Sequence, residues 1–473
     1  MIKNDIWRVM YKIMVFALPI CAGGMVNTIA GFISMSMVAQ VSKDQLAAGS
    51  LAITTFMTIM TVTTTIFYSI GILISHARSK VSKSNSDQQL ISSDHTSEHK
   101  VGLIIKNGMW LALFFAIPSG LMLWYADHLL LFFKQDRQLV IYARDYFHII
   151  AFNMVTILLL AVISQFFAGL GKPKITLYIS LTSFPFIMVC SYALILGRFG
   201  LPAMGLSGIA CASLIVQTFV VVFVLIMMYF NHDFKKYQIF TRPFTIDKVI
   251  CKSIISLGIP VGIQFGGEFI AISVSTYMMG YFGVTALAAS QVAGQFFMVI
   301  IVIVIGMTQA LSILVSEAYG KKNYDLIHEY IRASILLLAF IAVIIGIFFI
   351  VYPAELIHAY VGNHYFNAQF EHLAIIFLAV NAILFFVDGL RHLFAGSLRG
   401  LHDTHTPMRI GIISLWLVSL PISFLTGFVL DGGPVGLRAG FLSGFLVAAI
   451  CLATRIRKKL YEINRLDLCL SSP

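Results

Sequence analysis

Charge is scarce in this chain. Of its 473 residues only 11% are Asp, Glu, Lys or Arg, against 59% apolar, whereas soluble domains carry about 25% charged residues. That shortage excludes a water-facing globular surface. Acids are the scarcer sign, 21 against 32 basic residues. The resulting charge of +11 still does not point to nucleic acid. The basic residues fall in short clusters between apolar runs, with no aromatic-interleaved patch of the kind an RNA or DNA groove needs. The six cysteines (Cys21, Cys190, Cys211, Cys251, Cys451, Cys469) lack metal-ligand spacing and read as small packing residues. The histidines His76, His95, His148, His328, His402 and His405 scatter without a metal-binding context. "GLGK" (169–172) lacks the Walker spacing. No nucleophile–base or metal-ligand constellation stands at helical spacing, which argues against an intramembrane acyltransferase or protease and against an enzyme generally. The opening "MIKNDIWRVMYK" has no signal-peptide cleavage pattern, so the first helix is expected to be retained.

What the chain has is long apolar runs. Twelve segments, roughly 12–39, 46–75, 103–132, 142–170, 175–199, 205–230, 251–282, 286–316, 329–358, 370–398, 408–430 and 436–455, are long enough to cross a hydrocarbon core about 30 Å thick. Helices are the form expected, because lipid-exposed strands would need barrel closure and alternating polarity. The fold class is therefore an all-α membrane protein of twelve transmembrane helices. Two polar stretches read as linkers, residues 78–100 and 231–248, the second dividing the chain almost in half. With both termini inside, the cytoplasmic segments collect 23 basic residues. The opposite side holds Lys43, Lys134, Arg137, Arg198 and Arg438. This positive-inside bias sets the orientation and checks the helix count.

The chain also repeats itself. Pro19 set against Pro260 and run forward without a gap pairs Ser34 with Ser275, Met37 with Met278, Leu46-Ala47-Ala48 with Leu287-Ala288-Ala289, and Phe56-Met57 with Phe297-Met298. Later, "AMGLSG" (203–208) matches "PVGLRA" (434–439) with the offset shortened by ten, which fits extra residues in the 78–100 linker. Six helices per half give both halves one orientation, with the pseudo-symmetry axis along the membrane normal. The expected domains are a six-helix bundle over 1–230, a cytoplasmic linker over 231–250, and a second bundle over 251–473 with a basic cytoplasmic tail. The two would flank a central cavity.

Ionisable residues inside the apolar runs mark function by default. From Ser253 to Ser316 the only charged side chain is Glu268, with Gln264 four residues earlier on the same helix face. The second deep acid is Asp388, followed by Arg391 at i+3 and His392 at i+4. Two arrangements compete. Asp388 is a permanent partner of Arg391, or Asp388 and Glu268 line one cavity and share a cation. Apolar surroundings and a like-charged neighbour would raise a carboxyl pKa and a close arginine would lower it, and the sequence does not choose between them. Ser34, Gln291 and Tyr277 are further polar candidates for the cavity wall. The 20 methionines and 39 phenylalanines include enough side chains for a broad, adaptable apolar cavity.

The stretches "FALPICAGGMVNTIAGFISMSMVAQVSKDQLAAGSLA" and "GIPVGIQFGGEFIAISVSTYMMGYFGVTALAASQVA", with "AGSLRGLHDTHTPM" (395–408), resemble the multidrug and toxin extrusion (MATE) family over nearly the whole chain. In that family's sodium-coupled bacterial branch a glutamate stands eight residues after the helix-seven proline, as Glu268 does after Pro260. An aspartate stands ten before the leucine of the LRG motif, as Asp388 does before Leu398. The resemblance thus implies that Glu268 and Asp388 form the cation-coupling site, holding Na⁺ or passing H⁺. It implies export of organic cations or amphiphilic drugs across the inner or plasma membrane by rocking of two bundles, in a monomer with no bound cofactor. The first half departs from the pattern. The family's helix-one aspartate is Ser34 here, and its helix-five aspartate and asparagine align with Ser191 and Ile187. Arg391 stands where the family usually has a neutral residue. The rival reading is a flippase for a lipid-linked or amphiphilic precursor, which would gather basic residues such as Arg391, Arg144 and Arg332 in its cavity.

Overall fold

The structure, a computed structural model, describes residues 2–79, 92–132, 137–240, 246–361 and 368–471. Most of the 78–100 linker and residues 241–245 of the other linker lie outside the described residues, as do Lys80, Lys83, Lys134 and Arg242. Among the described residues every regular element is a helix. In chain order these are α1 (Ile2–Val41), α2 (Lys43–Ile66), α3 (Tyr68–Ser79), α4 (Ser92–Trp124), α5 (Ala126–Phe132), α6 (Arg137–Gly169), α7 (Pro173–Leu196), α8 (Leu206–Phe230), α9 (His232–Lys235) and α10 (Lys248–Gly280). They continue with α11 (Val284–Gly320), α12 (Tyr324–Val351), α13 (Pro353–Val361), α14 (Ala368–Gly400), α15 (His405–Ile413), α16 (Leu420–Phe424) and α17 (Gly433–Ser471). Two wider π-helical turns, Ser414–Ser419 and Leu425–Val429, flank α16. Among the described residues twelve spans are long and apolar enough to cross a membrane, as the apolar runs require. Three spans are composite. α2 and α3 share one, α4 and α5 another, and α15 to the second π turn a third.

The chain packs as two compact units, one of Ala22–Gly262 and one of Met1–Cys21 with Ile263–Pro473. The divisions fall inside α1 and α10, not in the 231–250 segment. They fall at equivalent places, because Cys21 and Gly262 are paired by the Pro19/Pro260 repeat. The first half of α1 belongs to the second unit through a stripe at i, i+4 spacing. Val9, Ile13, Ala17 and Cys21 are all buried in one core with residues of α11, α12, α14 and α17. Lys12 Nζ donates to the Tyr330 hydroxyl at 2.6 Å.

In the Ala22–Gly262 unit the core joins α2 through α8 and takes in Ile254 from the first turns of α10. The 231–248 segment is partly docked there. Asn231 caps α9 by accepting from the Asp233 amide, and Phe234, Tyr237 and Ile239 are buried in that core.

In the other unit, α14 is held against α11 by glycines at a spacing of four. A methyl group at Gly396 would lie 2.9 Å from the Thr308 carbonyl oxygen, and one at Gly400 2.6 Å from that of Ser312. Only glycine allows this approach. It fixes the height and rotation of α14, and with them the face that carries Asp388 and Arg391.

Candidate functional site

α10 and α14 each bring one polar face to a common point inside the second unit. On α10, Gln264 and Glu268 are one helical turn apart, and Gln264 Nε2 donates to Glu268 Oε1 at 2.9 Å. On α14, Asp388, Arg391 and His392 share a face. Arg391 Nε donates to Asp388 Oδ1 at 2.7 Å. Across the helix pair its Nη1 donates to Glu268 Oε1 at 2.5 Å and its Nη2 to Glu268 Oε2 at 3.2 Å. The guanidinium therefore meets Glu268 through both Nη nitrogens and Asp388 through Nε, with Nη2 also 2.7 Å from Asp388 Oδ1. Arg391 is 1% exposed, and all five of these side chains are buried.

Two arrangements were open from the sequence, a private Asp388–Arg391 pair and two carboxylates sharing a cation. The structure combines them. The shared cation is part of the chain. Arg391 lies between the carboxylates, where a bound ion would otherwise balance them. Among the described residues no group of three or more His, Cys, Asp and Glu could hold a metal ion. Ionic partners in so apolar a setting must be well matched. Removing one side of a buried pair costs roughly 3–5 kcal/mol, because the other charge is left stranded.

The network runs further than the sequence suggested. Arg399, two turns along α14, donates from Nη2 to Gln264 Oε1 at 2.9 Å. Arginine only donates, so this contact fixes which end of the Gln264 amide is oxygen, and the other end then has to face Glu268. Arg399, at the end of an apolar run, is one of the 23 basic residues that the sequence assigns to cytoplasmic segments. It is buried instead, with its guanidinium 5.5 Å from the Phe265 ring centre. Arg391 likewise lies 5.1 Å from the Phe445 ring centre. His392 adds a neutral partner. Its Nε2 is 2.9 Å from Arg391 Nη2, so it accepts, and the ring proton belongs on Nδ1, which has no hydrogen-bond partner. The charges of Glu268, Asp388, Arg391 and Arg399 cancel.

The remaining candidates lie elsewhere. Ser34 is buried in the Ala22–Gly262 unit, where its hydroxyl meets that of Ser191 at 3.3 Å. Those are the two positions at which the resembling family carries aspartates. Tyr277 is 77% exposed and Gln291 is also exposed, and neither joins the Glu268 network. The two other basic residues weighed for a flippase cavity have surroundings of their own. Arg144 faces Asp127 at 3.7 Å, and Arg332 is exposed.

Comparison with known proteins agrees with this architecture. The MatE family model matches residues 95–193 and 260–425, more than half of the chain. The chain is 24% identical over 456 residues to a probable multidrug resistance protein NorM of Synechocystis sp., covering 96% of each. It is 29% identical over 356 residues to the NorM-named protein of Agrobacterium fabrum, covering 74% of this chain and 76% of that one. Among solved structures, a MATE protein in the straight conformation superposes with a TM-score of 0.84 at 17% identity, covering 97% of both chains. The eukaryotic MATE transporter AtDTX14 gives 0.81 at 16% identity, covering 97% of this chain and 99% of that one. An all-helical chain with twelve spans, matched by the family model over most of its length, is a transporter of the MatE family and not an enzyme.

Proposed function

We propose that this transporter exports drug-like amphiphiles, organic cations among them, in exchange for protons, and that Glu268, Arg391 and Asp388 couple the two flows. The NorM-named relatives support the substrate class. The observation that carries the coupling reading is the Arg391 fork spanning both carboxylates. A sodium ion would have to displace a guanidinium that makes all of these bonds at once. A proton needs no such space. It neutralises Glu268 in place, removes its pull on Arg391, and leaves the guanidinium paired with Asp388 alone. Losing one arm of a buried ion pair is worth roughly 3–5 kcal/mol, and a tenfold bias between two transporter states needs only about 1.4 kcal/mol. Protonation of Glu268 therefore favours whichever state does not rely on that pair.

The membrane is the inner or plasma membrane, with both termini cytoplasmic by the basic-residue bias, and the working unit is one chain. The test is efflux of a fluorescent organic cation from proteoliposomes under an imposed proton gradient or an imposed sodium gradient. Glu268→Gln and Asp388→Asn are expected to lower proton-driven efflux at least tenfold while protein levels hold. Full efflux in both variants, or efflux driven by sodium at fixed pH, contradicts the reading.

A further inference from the structure

Arg438 is a second inward-turned arginine, and its surroundings are unlike those of Arg391. Counted from the sequence as a loop residue, it belongs to the second turn of α17, within the apolar span Gly433–Ile463. Its Nη2 donates to Asn381 Oδ1 at 2.7 Å and its Nη1 to Ser290 Oγ at 3.1 Å. Its carbon centre lies 5.6 Å from the Phe377 ring centre. Asn381 is held in turn, donating from Nδ2 to the Ala293 carbonyl at 2.7 Å, and both Asn381 and Phe377 are fully buried. The guanidinium thus points into the packing of α11, α14 and α17 and not out along the helix toward water.

No carboxylate answers it. Among the described residues Arg438 has no acidic partner within salt-bridge reach, and its Nε is buried without a hydrogen bond. The 362–367 segment outside the described residues contains no Asp or Glu. Glu371, the acid in the first turn of α14, faces His358 at 3.5 Å. The local helix fields add to the deficit. Ser290 and Arg438 lie in the second turns of α11 and α17, at helix ends that carry partial positive charge, and neither first turn contains an acid. An arginine near a helix N-terminus is on the unfavourable end of the dipole. Here it is also half-buried and has only neutral acceptors. The Glu268 network is self-balanced, so among the described residues Arg438 is a cation with no carboxylate to neutralise it.

We propose that Arg438, with Ser290 and Asn381, binds the anionic oxygen group of an amphiphile, a phosphate or a carboxylate. Two donors of the guanidinium are committed to Asn381 and Ser290, which hold the plane. The remaining N–H groups of Nη1 and Nη2 are those an oxyanion would take. Arginine suits this chemistry because its planar fork matches two oxygens at once. The ligand group would supply the charge that the chain leaves out. This site is separate from the coupling network and does not rest on the proton reading.

The test uses the full-length protein in detergent, needs no ion gradient, and reads binding and melting temperature. The probes are dihexanoyl phosphatidylglycerol, dihexanoyl glycerol as its uncharged counterpart, and inorganic phosphate. The phosphatidylglycerol probe is expected to bind the wild type at least tenfold more tightly than the uncharged one, and to lose that preference in Arg438→Gln. Arg438→Lys keeps the charge without the fork and should retain part of it. Ser290→Ala, a mild change, should weaken binding a few-fold, so the site stays testable if Arg438→Gln fails to fold. Competition by inorganic phosphate identifies the bare oxyanion as the recognised group. Lack of competition with the preference intact identifies a lipid-borne one. Equal binding of the charged and uncharged probes, or an unchanged preference in Arg438→Gln and Ser290→Ala, overturns the proposal.

Discussion

The Ala22–Gly262 unit places two hydroxyls, Ser34 and Ser191, against each other at 3.3 Å. The other unit places two carboxylates on one guanidinium, braced by Gln264, Arg399 and His392. The halves are related by sequence repetition, so the contrast is a difference in chemistry on a shared helical plan. A serine pair satisfies itself at any pH and salt concentration. A carboxylate pair buried among apolar side chains does not, and it needs a cation present at all times. The chain supplies that cation itself at Arg391. The lesson is that a duplicated chain can keep one helical plan and still fill the interior of one half with neutral hydroxyls and that of the other with ions.

Four changes would break or sharpen this comparison. The largest effect should follow Arg391→Met, which strands Glu268 and Asp388 together. Unfolding by denaturant in detergent is expected to show a loss of roughly 3–5 kcal/mol. Adding sodium should then restore part of the stability in the variant and none in the wild type, since the vacated place suits a small cation. Ser34→Asp imports an acid into the quiet unit without a countercharge. A cost on the order of 3 kcal/mol is expected in the same assay, and Ser34→Ala should be close to neutral. Gly400→Ala, against the Ser312 carbonyl, should cost about 1–3 kcal/mol by pushing α14 off α11. It should also reduce proton-driven efflux, because the Asp388–Arg391 face moves with α14.

The smallest effect lies outside the spans. Burial works against the charge of Asp403, but bonds from the Thr406 side chain and amide and from Arg455 outweigh it and hold the carboxyl below its usual range. A depressed carboxylate contributes stability that is full above its unfolded pKa and is lost as pH falls through its folded one. Asp403→Asn should therefore cost a few tenths of a kcal/mol to about 1 kcal/mol at neutral pH. It should also flatten the decline in melting temperature below the ordinary aspartate range near 3.9.

Much of the ion-bearing half was legible in the sequence. Glu268 stands out because no other charge interrupts its long apolar run. Gln264 follows from helical periodicity, as does the grouping of Asp388, Arg391 and His392. The grip of one arginine on both acids was not legible, since it depends on how α10 and α14 meet. Arg399 and Arg438 were missed for a related reason. Both stand at the ends of apolar runs, where basic residues normally turn to water, and only the neighbours Gln264 and Asn381 reveal that they turn inward. Tyr277 and Gln291, polar candidates for a cavity wall, are exposed and stand outside this network. The division of α1 and α10 between units was equally hidden, because composition does not change at Cys21 or at Gly262. It is a matter of which core each helix enters, and that is decided by tertiary packing.

That division says something about ancestry. Each compact unit takes in the opening stretch of the other half's first helix, and the two stretches end at matching positions, Cys21 and Gly262. A single half-length chain built this way would be incomplete alone and complete only as a pair trading those stretches, which is the geometry of segment exchange between identical copies. Joining two such copies end to end would preserve the trade inside one polypeptide. Copies fused in this way would be free to differ in their interior groups without the pair coming apart.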